Sequence, residues 1–144
     1  MHQWLLLHYK LPTEPSARRV YIWRKLKRLG AILVQDTLWV LPDKPTTLEH
    51  FQWLTAEIQE VGGEAILWQA QMALPGQDEA LEQQFSAQIN ELYQQILAGL
   101  EQTSPDLLAL SRLYQHVRTK DYFQSPLGQQ VREALLATKG ESGQ

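Results

Sequence analysis

AILVQDTLWVLP, residues 31–42, decides the fold of this chain. Two β-rich apolar runs flank Asp36-Thr37, a pattern that reads as two strands folded back in a tight antiparallel hairpin. Thr37 stands where a type I′ turn takes glycine, so the turn type stays open. The neighbours of the hairpin then set the order of elements. Upstream, Ser16 is placed to cap a helix running from about Ala17 to Leu29, with Gly30 where a helix commonly ends. Before that helix, WLLLHY (residues 4–9) is a short apolar run without helical spacing, bounded by Leu11-Pro12, and reads as a buried strand. Downstream, Thr46-Thr47-Leu48-Glu49 has the form of a capping box. It opens a helix whose stripe is Leu48, Phe51, Leu54, Ile58 and Val61, and which stops at Gly62-Gly63. EAILWQAQM (residues 64–72) supplies a fourth strand.

The order β-α-β-β-α-β over residues 4–72, with right-handed crossovers, predicts an α+β fold. It is a ferredoxin-like sandwich, a four-stranded antiparallel sheet with both helices on one face. The module occupies residues 3–73. Leu74-Pro75-Gly76-Gln77 breaks the pattern, and residues 77–139 are expected to form a helical extension of about three helices packed on it, giving one compact domain overall. Leu81, Phe85, Ile89, Leu92, Ile96 and Leu100 recur at three- and four-residue spacing. Ser104-Pro105 and Ser125-Pro126 each place a cap ahead of a proline and start two further helices. Strands one and three are apolar on both faces, which implies that both sheet faces are covered. The C-terminal helices or a second copy of the chain would supply the second cover, and the expected assembly is a homodimer.

The 144 residues are 44% hydrophobic and 20% charged, a composition that suits a soluble globular domain with a real core. No apolar run approaches the ~20 residues that span a bilayer, so no membrane association is expected. MHQWLLLHYK lacks the basic start and small-residue cleavage site of a signal peptide, and the expected compartment is the cytoplasm. With zero cysteines, a disulfide framework, a zinc–thiolate site and a thiol nucleophile are all excluded.

Net charge is −3, but it is unevenly spread. Residues 1–30 carry seven Lys/Arg against Glu14 alone, whereas residues 31–144 carry six against fifteen acids. The first helix holds most of the positive charge. At 100° per residue, Ile22, Trp23, Leu26 and Leu29 gather on one arc, while Arg18, Arg24, Lys25, Lys27 and Arg28 spread over the opposite half with Tyr21 among them. Like charges at this spacing repel, so helix stability does not favour the cluster. One reading is a phosphate-binding surface that places DNA among the partners. The other is a solvated face whose charges lie near the acids of the C-terminal helices.

Other residues carry less. His8, inside strand one, reads as a packed core residue, and His2, His50 and His116 have no partner at metal-ligand spacing. The five tryptophans invite stacking on single-stranded nucleic acid. Trp4, Trp23 and Trp39 sit in apolar segments, however, and read as core. With no phosphate loop and no nucleophile elbow, the sequence offers no catalytic constellation. No metal and no cofactor is expected.

WLLLHYKLP (residues 4–12), SARRVYIWRKLKRLGA (16–31), VQDTLWVLP (34–42) and GGEAILWQA (62–70) together resemble the N-terminal domain of the ChrB chromate-resistance regulatory family. The most distinctive piece is Trp23-Arg24-x-Leu26-Lys27-x-Leu29-Gly30-Ala31. YQHVRTKDYFQSPLGQQVREAL (114–135) resembles that family's Asp-aromatic-Phe segment before its last helix. The resemblance implies a bacterial cytoplasmic protein connected with chromate resistance, in transcriptional control of an efflux transporter. Full-length members carry a second domain after this one, so a chromate or other oxyanion effector is not assigned here. Asp36-Thr37 also departs from the Asp-Gly expected of the family hairpin. The same βαββαβ module resembles the central domain of the phenylacetate repressor PaaX and small CRISPR-associated nucleases. Those nucleases place a metal-binding Asp at the end of strand one, where this chain has Tyr9-Lys10-Leu11.

The preferred reading is therefore a non-enzymatic regulatory domain that contacts DNA phosphate through Arg18, Arg24, Lys25, Lys27 and Arg28. A nucleic-acid-processing enzyme would need a ligand set or nucleophile that the sequence does not display. An accessory protein-interaction module, with the basic helix on an acidic partner, is the third reading.

Overall fold

A computed structural model describes residues 1–36 and 38–142. The elements run β1 (Gln3–Lys10), α1 (Ser16–Arg28), β2 (Ile32–Val34), β3 (Leu38–Pro42), α2 (Pro45–Glu60), β4 (Glu64–Gln71), α3 (Pro75–Leu100), α4 (Leu107–Thr119) and α5 (Pro126–Ser142). The fold is α+β, with four strands in the order β2-β3-β1-β4 and antiparallel pairing throughout. Contacts divide the chain into two compact units, Met1–Glu79 and Ala80–Gln144.

In the first unit β1 is central, pairing Leu6 with Val40 on one side and with Trp68 on the other. Its alternation therefore sets the faces of the whole sheet. Leu5, Leu7, Trp39 and Leu41 share one face and are buried. Ile22 and Leu26 of α1, with Phe51, Leu54 and Ile58 of α2, complete this core. The two helices lie side by side, joined by an ion pair from Lys25 Nζ to Glu57 Oε1 at 2.7 Å. On the other face Trp4 and Val40 are buried, but Ile66 and Trp68 of β4 stay about half exposed. Apolar surface is thus open at the β4 edge of that face. His8, expected in the core, is exposed on this same face.

The hairpin forms as the sequence indicates, with β2 and β3 paired from Ile32↔Val40 to Val34↔Leu38. Gln35 and Asp36 take positive φ (49° and 26°), and Leu38 N–H donates to the Gln35 carbonyl. Thr37, the second residue of the expected turn, lies outside the described residues.

Helix starts differ from expectation in an informative way. Ser16 is the first helical residue of α1 and not its cap; Pro15 precedes it with no side-chain cap bond. The box opening α2 is shifted. Thr47 Oγ1 accepts from Lys44 N–H at 2.9 Å and donates to the Pro42 carbonyl, so this buried hydroxyl ties the helix start to the end of β3. Gly62 ends α2 in the left-handed region (φ 87°), and at Gly63 a Cβ would lie 2.7 Å from the Lys10 carbonyl. Only glycine permits both the turn and the approach. Pro75-Gly76 does not break the chain, as the sequence suggests, but forms the first turn of α3. Asp78 there accepts from Trp4 Nε1 at 2.9 Å and from His2 N–H at 3.3 Å, which fastens β1 to that turn.

In the second unit Ile89, Tyr93 and Ile96 pack with Tyr114, Val117, Val131 and Leu135. Asp106, not Ser104, caps α4, accepting from Ala109 N–H at 3.1 Å. Ser125 caps α5 as expected, its Oγ accepting from Leu127 N–H at 3.2 Å. Asp121 organises the α4–α5 turn, accepting from the buried Tyr93 hydroxyl at 2.8 Å and from Ser125 N–H at 3.0 Å. Burial and this carboxylate partner both push the Tyr93 pKa up, so the hydroxyl stays protonated as the donor.

Candidate nucleic-acid interface

Helix α1 presents the five basic residues singled out in the sequence, and the structure separates them by what each touches. Arg24, Lys27 and Arg28 are exposed. Among the described residues Arg24 and Arg28 form no ion pair, and the Lys27 ammonium lies 5.8 Å from the Trp23 ring centroid. Arg18 and Lys25 are engaged elsewhere. At 100° per residue Arg18 falls on the flank next to Ile22, one turn earlier, and not on the opposite half. Its Nη1 donates to the Val61 carbonyl at 3.1 Å, at the C-terminal end of α2. Lys25 is half-buried, pairs with Glu57 and sits 4.9 Å from the Tyr21 ring centroid. Burial alone would raise the Glu57 pKa, but the hydrogen bonds from Lys25 and Tyr21 outweigh it and hold the carboxyl below its usual range. The same bond raises the Lys25 pKa.

The tryptophans divide differently from the sequence reading. Trp4 and Trp39 are core, but Trp23 is 49% exposed and Trp53 66% exposed. Trp23 was expected on the buried arc with Ile22 and Leu26. It sits about 100° round the helix from Ile22, at the margin of that arc, where its indole faces outward. The basic face thus has an exposed indole on α1 beside it, and Trp53 shares a shallow cleft with Arg28 and Lys25.

A larger cleft of about 520 Å³ opens between the C-terminal end of β1 and the start of α1. It is lined by Tyr9, Lys10, Arg19, Trp23 and Trp39, with Asp36 from the hairpin turn. Burial raises the Tyr9 pKa, offset in part by a hydrogen bond with Trp39 and by the positive charge of Arg19. Arg19 is exposed here. No local sequence pattern signals this grouping, because its members come from β1, α1, the hairpin turn and β3. In the helical unit a second cleft of about 400 Å³ is lined by Arg118, Arg132 and Asp121. Its carboxylate is already committed to Tyr93 and Ser125. Among the described residues no group of three or more His, Asp or Glu side chains could hold a metal, and no helix is long and apolar enough to cross a membrane.

The family model described as "Protein ChrB, N-terminal" matches residues 19–102, from the first turn of α1 to just past the end of α3. The chain belongs to the ChrB N-terminal family. Protein ChrB of Cupriavidus metallidurans is 34% identical over 70 residues. That stretch is 49% of this chain and 22% of the length of that ChrB protein. The ChrB match takes in the exposed basic row, since Arg24, Lys27 and Arg28 all fall within it.

Proposed function

We propose that this ChrB-type domain is a non-enzymatic regulatory module of chromate resistance that holds DNA through phosphate contacts of α1. The observation that carries the reading is the exposed row Arg24, Lys27 and Arg28, on a helix that contains no acid, in a chain whose remainder is acidic. Such a row gains nothing for folding, because its charges repel one another, whereas each can neutralise a phosphate and release a counterion. The ChrB family resemblance supplies the link to chromate resistance and to transcriptional control. A non-enzymatic role is supported by Tyr9 and Lys10, which occupy the strand end where the related nucleases carry their metal-binding acid. The ferredoxin-like assignment is supported by the βαββαβ order and by the strand order, which reads 4-1-3-2 from the β4 edge. A homodimer in a cytoplasmic setting belongs to the same proposal, with the half-exposed Ile66 and Trp68 offering apolar surface for the second copy.

The test is a titration of a labelled DNA duplex of arbitrary sequence at several salt concentrations. Affinity that falls steadily as salt rises supports phosphate contact. No binding at low salt, together with salt-sensitive binding to an acidic polypeptide, would replace DNA with a protein partner.

A further inference from the structure

We propose that the cleft between β1 and α1 takes one nucleotide unit, its base stacked on Trp23 and its phosphate held by Arg19 and Lys10. The inference deepens the nucleic-acid reading of α1 by naming what enters the concave ground beside it. Three observations converge. The first is size: about 520 Å³ lies within the range of small-ligand sites. The second is the half-exposed indole of Trp23, an aromatic face that core packing does not use and that stacks any base. The third is the mixed chemistry of the lining. Arg19 and Lys10 are exposed cations, while the Tyr9 hydroxyl and the Asp36 carboxylate are polar groups able to meet a base edge.

A duplex keeps its bases stacked and cannot offer one to this cleft without unstacking it, which costs energy. An unpaired strand presents bases freely, and its backbone would continue along the row Lys27, Arg24 and Arg28. A basic track beside a stacking platform is the arrangement by which proteins hold single strands without reading sequence. The shared chemistry is a base with its phosphate, which a single strand or a free nucleotide could supply.

The experiment compares oligothymidylate, thymidine monophosphate and a blunt duplex on the full chain and on Trp23→Ala, Trp23→Phe and Arg19→Gln. Anisotropy follows the labelled nucleic acids, tryptophan fluorescence follows the mononucleotide, and thermal melting confirms that each variant is folded. Trp23→Ala is expected to weaken oligothymidylate binding by about five-fold or more, with Trp23→Phe retaining most of the affinity. Arg19→Gln should weaken it too, and duplex binding should change little in either cleft variant. Quenching by the mononucleotide would make a free nucleotide sufficient, and binding by the oligonucleotide alone would make the strand the source. The proposal is overturned if folded Trp23→Ala binds oligothymidylate as tightly as the parent, or if the parent binds neither single-stranded probe. Loss of duplex binding on changing Arg24, Lys27 and Arg28 bears on the helix reading alone, so the two can fail separately.

Discussion

Replacing Arg24, Lys27 and Arg28 together with Gln tests the basic face without touching the core beneath it. All three are exposed, while Ile22 and Leu26 on the inward arc are buried. Gln has nearly the helix propensity of Lys and Arg, so α1 should persist. Two small stability terms oppose each other. Removing like charges relieves repulsion of a few tenths of a kcal/mol per pair, and losing the Lys27–Trp23 contact costs ~0.5–1 kcal/mol at such an exposed site. The melting temperature should therefore change little. Binding should change much more. If each side chain neutralises one phosphate, the slope of log K against log salt falls by about 0.9 per lost contact, hence about 2.7 in all. A four-fold rise in salt would then weaken the variant roughly forty-fold less than the parent. Anisotropy titrations on a labelled duplex at four or more salt concentrations give both slopes directly. A folded triple variant with the parental slope would refute the assignment and return the helix to a solvated face.

Glu57→Gln should free Lys25 to act as a further contact, steepening the salt slope by up to about 0.9, measured in the same titration. Because each partner is about a third exposed, the stability lost should stay below ~1 kcal/mol in a denaturant melt. Gly128→Ala would set a Cβ 2.9 Å from the Tyr93 hydroxyl and 3.0 Å from its ring, and Asp121 holds that hydroxyl in place. A loss of ~1–3 kcal/mol is expected in urea unfolding. At Asp78, burial alone would raise the pKa, but the bonds from Trp4 and His2 depress it below 3.8. The stabilisation is thus present above that value and disappears as pH falls through the lower folded pKa. The melting-temperature gap between the parent and Asp78→Asn should be full near neutrality and close at low pH. The proposed dimer predicts self-association in sedimentation velocity that Trp68→Lys weakens, because the substitution puts a charge on the half-exposed β4 face.

The order of elements was legible because each segment announces its own period. WLLLHY and LWVLP lack helical spacing, while Phe51, Leu54 and Ile58 recur at three and four, and all of these positions behave accordingly. Helix starts were less legible. Ser16, Thr46 and Ser104 are all competent caps, yet the chain starts its helices from Pro15, Lys44 and Asp106. The choice at α2 depends on the Pro42 carbonyl, which draws the Thr47 hydroxyl inward, and no local pattern of residue types reveals that strand end. At α3 the Pro-Gly pair looks like punctuation, but Pro at the first helical position costs no hydrogen bond, and Asp78 is held there by Trp4 from β1.

The candidate site was legible only where it lies on one element. The basic residues of α1 are adjacent in sequence, so their surplus charge shows at once. Their availability does not show, because Glu57 and Val61, which occupy Lys25 and Arg18, belong to the end of α2. Trp23 illustrates the same limit for apolar residues. It stands about 100° from Ile22, at the edge of the buried arc, and helical periodicity gives such a residue no decided side. The inward positions of α1 are taken by Ile22 and Leu26, both buried, while Trp23 is left half exposed. Tyr9, Arg19 and Trp39 then line the ground beside it, joined by topology alone. An exposed indole at the mouth of a cleft with two cations is what the proposed stacking of a base requires, and no helical period marks it in the sequence.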